Sequence, residues 1–184
     1  MKKFIYGLLL TGLLCQPAAA ALSKSETDQY VNRAVAFIKT REYDQSLTVF
    51  KEGLAKDPDN AILNAGMGNN LAALNRYREA IPYLEKAARS DPADQTAHFG
   101  LAACYQALGR DEQAIEHLKK CLDLNPHNAR ASIWLAGCYV RLAKAAPEKA
   151  KAKEYLQSAL MTLEEAGNLE GAMEVKKILS TLQN

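Results

Sequence analysis

A chain of 184 residues that is 48% hydrophobic and 24% charged holds enough apolar material for one compact unit, and its composition is neither collagen-like nor disordered. Its 23 basic and 21 acidic residues leave a formal charge of +2 with both signs interspersed, which excludes the basic footprint that nucleic acid or anionic lipid requires.

The first twenty residues read differently from the rest. Lys2 and Lys3 give a positive start, FIYGLLLTGLLC from Phe4 to Cys15 is apolar, and Pro17 leads into Ala18, Ala19, Ala20 and Ala21. That order is a secretory signal peptide over 1–20, with cleavage near Ala20 and a periplasmic or secreted product. The apolar run is shorter than the roughly 20 residues of a spanning helix, so no membrane insertion of the mature chain is expected. Two alternatives keep the remainder outside the cytoplasm. One is an uncleaved anchor. The other is acylation at Cys15, against which Leu14 stands where such signals carry a small residue. Cleavage lowers the basic count from 23 to 21 against 21 acids and makes the mature chain formally neutral.

Ser25 with Asp28 has the form of a capping box and predicts the start of the first helix. Beyond it an internal period appears: Pro58, Pro92 and Pro126 are 34 residues apart, in the settings DPDNA, DPADQ and NPHNA. Proline ends the preceding helix by lacking a donor, and Asn60, Asp94 and Asn128 supply a side-chain oxygen to cap the next. In the same register fall Ala80 with Ala114, Ala87 with Cys121, and Gly68 with Ala102 and Ala136, small residues that let helices approach closely. Leu101, Tyr105, Leu108, Ile115, Leu118 and Leu122 place an apolar stripe on each of two short helices. Repeats are expected at about 27–60, 61–94, 95–128 and 129–166. The fourth carries a four-residue insertion, read as a longer first helix to about Ala146 with Pro147 opening the second. Gly167 ends that helix. Leu169, Ala172, Val175, Leu179 and Leu182 line one side of a capping helix over 168–182.

The stretch HFGLAACYQALGRDEQAIEHLKKCLDLNP, His98 to Pro126, resembles a tetratricopeptide repeat, with Leu101, Ala102, Tyr105, Gly109, Ala114, Leu118 and Pro126 on the family's signature positions and His98 where tryptophan is usual. Residues 61–94 follow through Met67, Gly68, Leu71, Ala80, Leu84 and Pro92, and residues 27–60 through Tyr30, Tyr43, Phe50 and Pro58. The resemblance implies an all-α fold: a right-handed alpha-alpha superhelix of about four helix pairs plus a C-terminal capping helix, the TPR domain spanning 25–184.

No catalytic constellation is read from the sequence, and no enzyme, cofactor or metal is expected. His98, His117 and His127 occupy different repeat positions and form no predicted pair. GMGNN at Gly66–Asn70 lacks the preceding strand and third glycine of a dinucleotide fingerprint. Cys104, Cys121 and Cys138 are spaced by half a repeat. Cys104 and Cys138 hold the same place on helices roughly 8–10 Å apart, beyond the ~7 Å that a disulfide tolerates, so buried free thiols are expected, with a bridge from Cys121 as the alternative.

In the resembled family the first helix of each repeat makes a concave wall where ligands lie. Carried over, that wall comprises Ile62, Ala65, Asn69, Ala72 and Ala73, then Thr96, Phe99, Ala103, Gln106 and Ala107, then Arg130, Ile133, Gly137, Val140 and Arg141. Only Asn69 and Arg130 match the polar set by which some relatives clamp a carboxylate; Ala65, Gly100 and Trp134 stand in other clamp positions. The resemblance therefore implies an apolar groove for a protein or peptide partner, with Phe99 and Ile133 as anchors and Asn69, Gln106, Arg130 and Arg141 fixing direction. Two further expectations stand beside it. One is a groove partly covered by the chain's own ends. The other is self-association into a homo-oligomer through an end of the solenoid.

Overall fold

The computed structural model describes residues 21–183; the expected signal peptide over 1–20, with its expected cleavage near Ala20, lies outside the described residues. Among the described residues there are nine α-helices and no strand. They run α1 (Lys24–Lys39), α2 (Tyr43–Lys56), α3 (Ala61–Ala73), α4 (Tyr77–Ser90), α5 (Gln95–Ala107), α6 (Asp111–Leu124), α7 (Ala129–Ala145), α8 (Lys149–Glu165) and α9 (Leu169–Gln183). These are the four helix pairs and the capping helix of the superhelix that the repeat implied. None of the described helices is long and apolar enough to cross a membrane.

The turns show how the sequence imposes this order. Between pairs, Asn60 accepts from the Leu63 amide at 3.1 Å, Asp94 from Thr96 at 2.8 Å and Asn128 from Ala131 at 3.1 Å. Each oxygen satisfies one of the donors that a helix start leaves orphaned. Within pairs, the chain reverses through a residue of positive φ: Arg41 at 63°, Asn75 at 61° and Gly109 at 70°, again 34 apart. Each helix packs on its chain neighbours, and α1 on α3 and α3 on α5 as well, which builds one wall from the first helices.

The small residues sit where close approach was expected. Ala80, Ala87, Ala102, Ala114 and Cys121 are fully buried, and a side-chain carbon on Gly68 would fall 2.5 Å from Leu84 Cγ. Phe50, Leu63, Met67, Leu71, Leu84, Leu101 and Leu118 fill one core through α1–α7. A second cluster, with Leu156, Leu163, Ala172 and Val175, joins α7, α8 and α9.

Two boundaries differ from the sequence reading. The capping box is Ser23 with Glu26, not Ser25 with Asp28: Ser23 Oγ accepts from the Glu26 amide at 3.3 Å, and Glu26 Oε2 accepts from the Ser23 amide at 2.9 Å. The longer glutamate reaches back to the cap, as this motif requires. Pro147 does not open α8, whose cap is Glu148 and first residue Lys149. It acts instead on the residue before it, holding Ala146 extended at ψ 129° and ending α7 at Ala145. The insertion itself lies in α7, 17 residues long against 13 for α3 and α5.

Candidate functional site

The first helices of the repeats enclose a trough in two halves. In the first, Val31, Val35 and Ile38 of α1 face Ile62, Ala65, Asn69 and Ala73 of α3 across a cavity of about 570 Å³. Its walls are mostly apolar, and Ile62 is 55% exposed with no cover among the described residues. The sequence reading of the groove began at Ile62 and left α1 out. Moving one period back from Ala65, Asn69 and Ala72 leads to Val31, Val35 and Ile38, so the signal was present in the register.

In the second half, α3, α5 and α7 line a cavity of about 430 Å³ with Asn69, Ala72, Thr96, Phe99, Gly100, Ala103, Arg130 and Trp134. Phe99 and Trp134 pack with ring centroids 4.7 Å apart and planes tilted by 47°. The Arg130 guanidinium lies over both, 4.5 Å from the Phe99 centroid and 5.5 Å from that of Trp134. The ring faces carry negative quadrupole charge, so they orient the cation while its N–H edge stays available for an acceptor. Arg130 makes no ion pair with any described residue.

The predicted groove residues therefore separate. Asn69, Phe99, Ala103 and Arg130 come together in this cavity. Ile133 does not join them: it is 48% exposed and lies outside it, because the α7 residue turned toward Phe99 is Trp134. Gln106 borders the trough further along but is committed inward, donating to Trp134 O at 3.2 Å and to Cys138 Sγ at 2.9 Å. Arg141 is committed to Asp111, with Nε and a terminal nitrogen on the carboxylate at 2.6–3.0 Å. It braces α7 on the start of α6. Val140 belongs to a separate cavity of about 290 Å³ lined with Ile178 and Leu182 of α9, so the chain's last helix closes that end of the wall.

The histidines also differ from expectation. His98 and His117 pair across the α5–α6 hairpin, Nδ1 to Nδ1 at 3.2 Å with stacked rings, and His117 stacks in turn on Tyr105. The hairpin explains the meeting. Its turn is closed by the Arg110 amide donating to Tyr105 O, and His98 precedes Tyr105 by as many residues as His117 follows Arg110. Burial first, and His98 second, push the His117 pKa below the usual histidine value, against the pull of Glu116 and Glu85.

Cys104, Cys121 and Cys138 are buried free thiols, and the bridge from Cys121 is not formed. Burial pushes each of them up to about 11. Cys121 Sγ donates weakly to Gln95 O at 3.7 Å. No group of three metal-ligating side chains occurs among the described residues.

Two sequence profiles described as tetratricopeptide repeat match residues 65–129 and 112–162, together more than half of the chain. No curated protein matches the sequence. Among solved structures, the first TPR of Spaghetti (RPAP3) bound to the HSP90 peptide SRMEEVD is 20% identical at a TM-score of 0.64, covering 67% of this chain and 98% of that one. A MamA structure is 19% identical at a TM-score of 0.64, covering 88% and 93%. MamA AMB-1 is 25% identical at a TM-score of 0.64, covering 78% and 73%.

Proposed function

This chain belongs to the tetratricopeptide repeat family, and from that premise we propose that it is a non-enzymatic scaffold of the cell envelope which holds a segment of a partner protein in the trough along α1, α3, α5 and α7. The observation that carries the reading is the polarity of the trough. One half offers Val31, Val35, Ile38 and Ile62 to an apolar stretch, and the other offers Arg130, aimed by Phe99 and Trp134, to an acidic group. A short amphipathic helix or extended segment with an acid at one end fits both. A structurally similar domain, that of Spaghetti, is bound to the peptide SRMEEVD, which supports the trough as a peptide-binding face. The envelope is proposed on the N-terminal pattern of Lys2, Lys3 and the apolar run to Cys15.

Affinity capture from an envelope extract tests the reading, comparing the chain from residue 21 onward with Ile62→Asp and Arg130→Glu. Both residues are exposed, so helical circular dichroism should not change. A protein retained by the natural chain and lost by both variants identifies the partner. Equal retention by all three refutes the groove.

A second reading, self-association, is favoured by Met161, Leu169 and Met173, which are 59%, 72% and 71% exposed on α8 and α9. Capture of only the chain itself, abolished by Met173→Glu, supports it.

A further inference from the structure

The His98 and His117 rings do not belong to the groove, yet they stand directly behind it. His98 is the residue before Phe99 and is buried at the start of α5. Its Nε2 lies 3.1 Å from Pro92 O in the turn that precedes α5. A carbonyl only accepts, so Nε2 carries the hydrogen, and in the neutral ring Nδ1 is left as an acceptor. His117 Nδ1, 3.2 Å away, then carries the hydrogen shared between the rings. One chain of hydrogen bonds thus ties α6 to α5 and α5 to the α4–α5 turn.

We propose that the His98–His117 pair is a proton-operated latch: neutral, it holds the start of α5 in place behind Phe99 and Trp134, and fully protonated it releases, loosening the aromatic clasp of the groove in acid.

The two protonation steps have different consequences. A first proton on either ring leaves the other ring's Nδ1 as an acceptor, so one hydrogen bond between the rings survives. The charged groups that bear on the His117 ring are His98, Glu116 of α6 and Glu85 of α4, the last already accepting from the Tyr105 hydroxyl at 3.2 Å. A second proton makes both Nδ1 atoms donors that face each other, and sets two cations in stacked rings 5.5 Å apart. The bond is lost and the rings repel.

The sign follows from the burial that lowers the His117 pKa. Folded, His117 binds its proton less readily than in the unfolded chain, so the stability linked to this ring is complete above the ordinary histidine value of about 6.5 and falls away as pH drops below it.

Trp134 is the only tryptophan of the chain and touches Phe99, so its emission reports on the clasp without any partner. The purified full chain is titrated from about pH 8 to about pH 5, spanning the ordinary histidine pKa, with emission and circular dichroism recorded together. His117→Gln keeps a donor toward His98 but accepts no charge, and His127→Gln removes an exposed histidine outside the pair. The latch predicts a red shift of Trp134 emission in the natural chain and in His127→Gln, with helix content retained, and a flat response in His117→Gln. A flat response in the natural chain, or the same shift in His117→Gln, overturns it. Histidine NMR on the natural chain serves if His117→Gln does not fold: coupled titration of the two rings supports the latch, and independent titration refutes it. The latch depends on the groove reading only for its consequence. Failure to capture a partner leaves it standing, and flat emission leaves the groove standing.

Discussion

Trp134 leans on Phe99 from the next repeat, one full period after Gly100, and so α7 meets α5 through two aromatic rings, while α3 packs closely on both α1 and α5. The small residue at 100 suits this arrangement: a side-chain carbon there would fall 2.5 Å from Asn69 Oδ1, a polar group of the same cavity. Replacing Trp134 by alanine should remove partner capture and cost about 1.5 kcal/mol of stability, the lower range for a half-buried aromatic. Denaturation by urea followed by circular dichroism measures the second effect. A loss above about 4 kcal/mol would mark Trp134 as a core residue instead.

Arg130→Lys tests the orientation that the rings supply. Lysine keeps the charge but not the planar fork that stacks on aromatic faces, so the stability change should stay within about 0.5–1 kcal/mol while partner affinity falls several-fold. Retained affinity, measured by titration calorimetry with the captured partner, would reduce Arg130 to a point charge.

Asp111 and Arg141 give a prediction about architecture. Asp111 is 7% exposed at the start of α6, and Arg141→Ala leaves its carboxylate buried beside Cys138 without a cation. Hydrogen bonds to charged groups contribute about 1.5–3 kcal/mol, and the half-exposed arginine places this pair near the lower figure. A double-mutant cycle with Asp111→Ala and Arg141→Ala should therefore show a coupling of about 1–1.5 kcal/mol. Additive losses would mean that the contact contributes nothing.

The period of 34 made the fold legible, since prolines, caps and small residues recur together and each has a local physical cause. The wall of first helices came instead from the resemblance to the repeat family, and residues of that wall line the two cavities. Register does not decide which of two adjacent side chains turns inward. Ile133 and Trp134 sit side by side on α7, and packing against Phe99 selects the tryptophan. Nor does it reveal which polar groups are already satisfied: Gln106 and Arg141 look like groove residues until Cys138 and Asp111 are found beneath them. The histidine pair was hidden for a related reason. Its members are distant in register and meet through hairpin geometry.

The three thiols should be inert in the folded chain. They are fully buried, and with pKa values pushed up to about 11 the thiolate is scarce at pH 8. Iodoacetamide at that pH should leave Cys104, Cys121 and Cys138 unmodified by mass spectrometry, and alkylate all three in urea. Rapid labelling of one thiol in the native chain would locate a locally opening repeat.

The in-pair turns hold removable strain. Gly109 takes its φ of 70° freely, whereas Arg41 holds a φ of 63° with a side chain, and Asn75 a φ of 61°. A left-handed conformation costs an ordinary residue roughly 1–2 kcal/mol, and asparagine is the better tolerated. Glycine offsets part of the gain by its freedom in the unfolded chain, about 0.5–1 kcal/mol. Arg41→Gly should therefore stabilise by about 0.5–1 kcal/mol, Asn75→Gly should lie near zero, and Gly109→Ala should destabilise by about 1 kcal/mol. Among the described residues the exposed Arg41 side chain makes no ion pair that the change would remove, so a neutral or destabilised Arg41→Gly in urea denaturation would show that this turn is not strained.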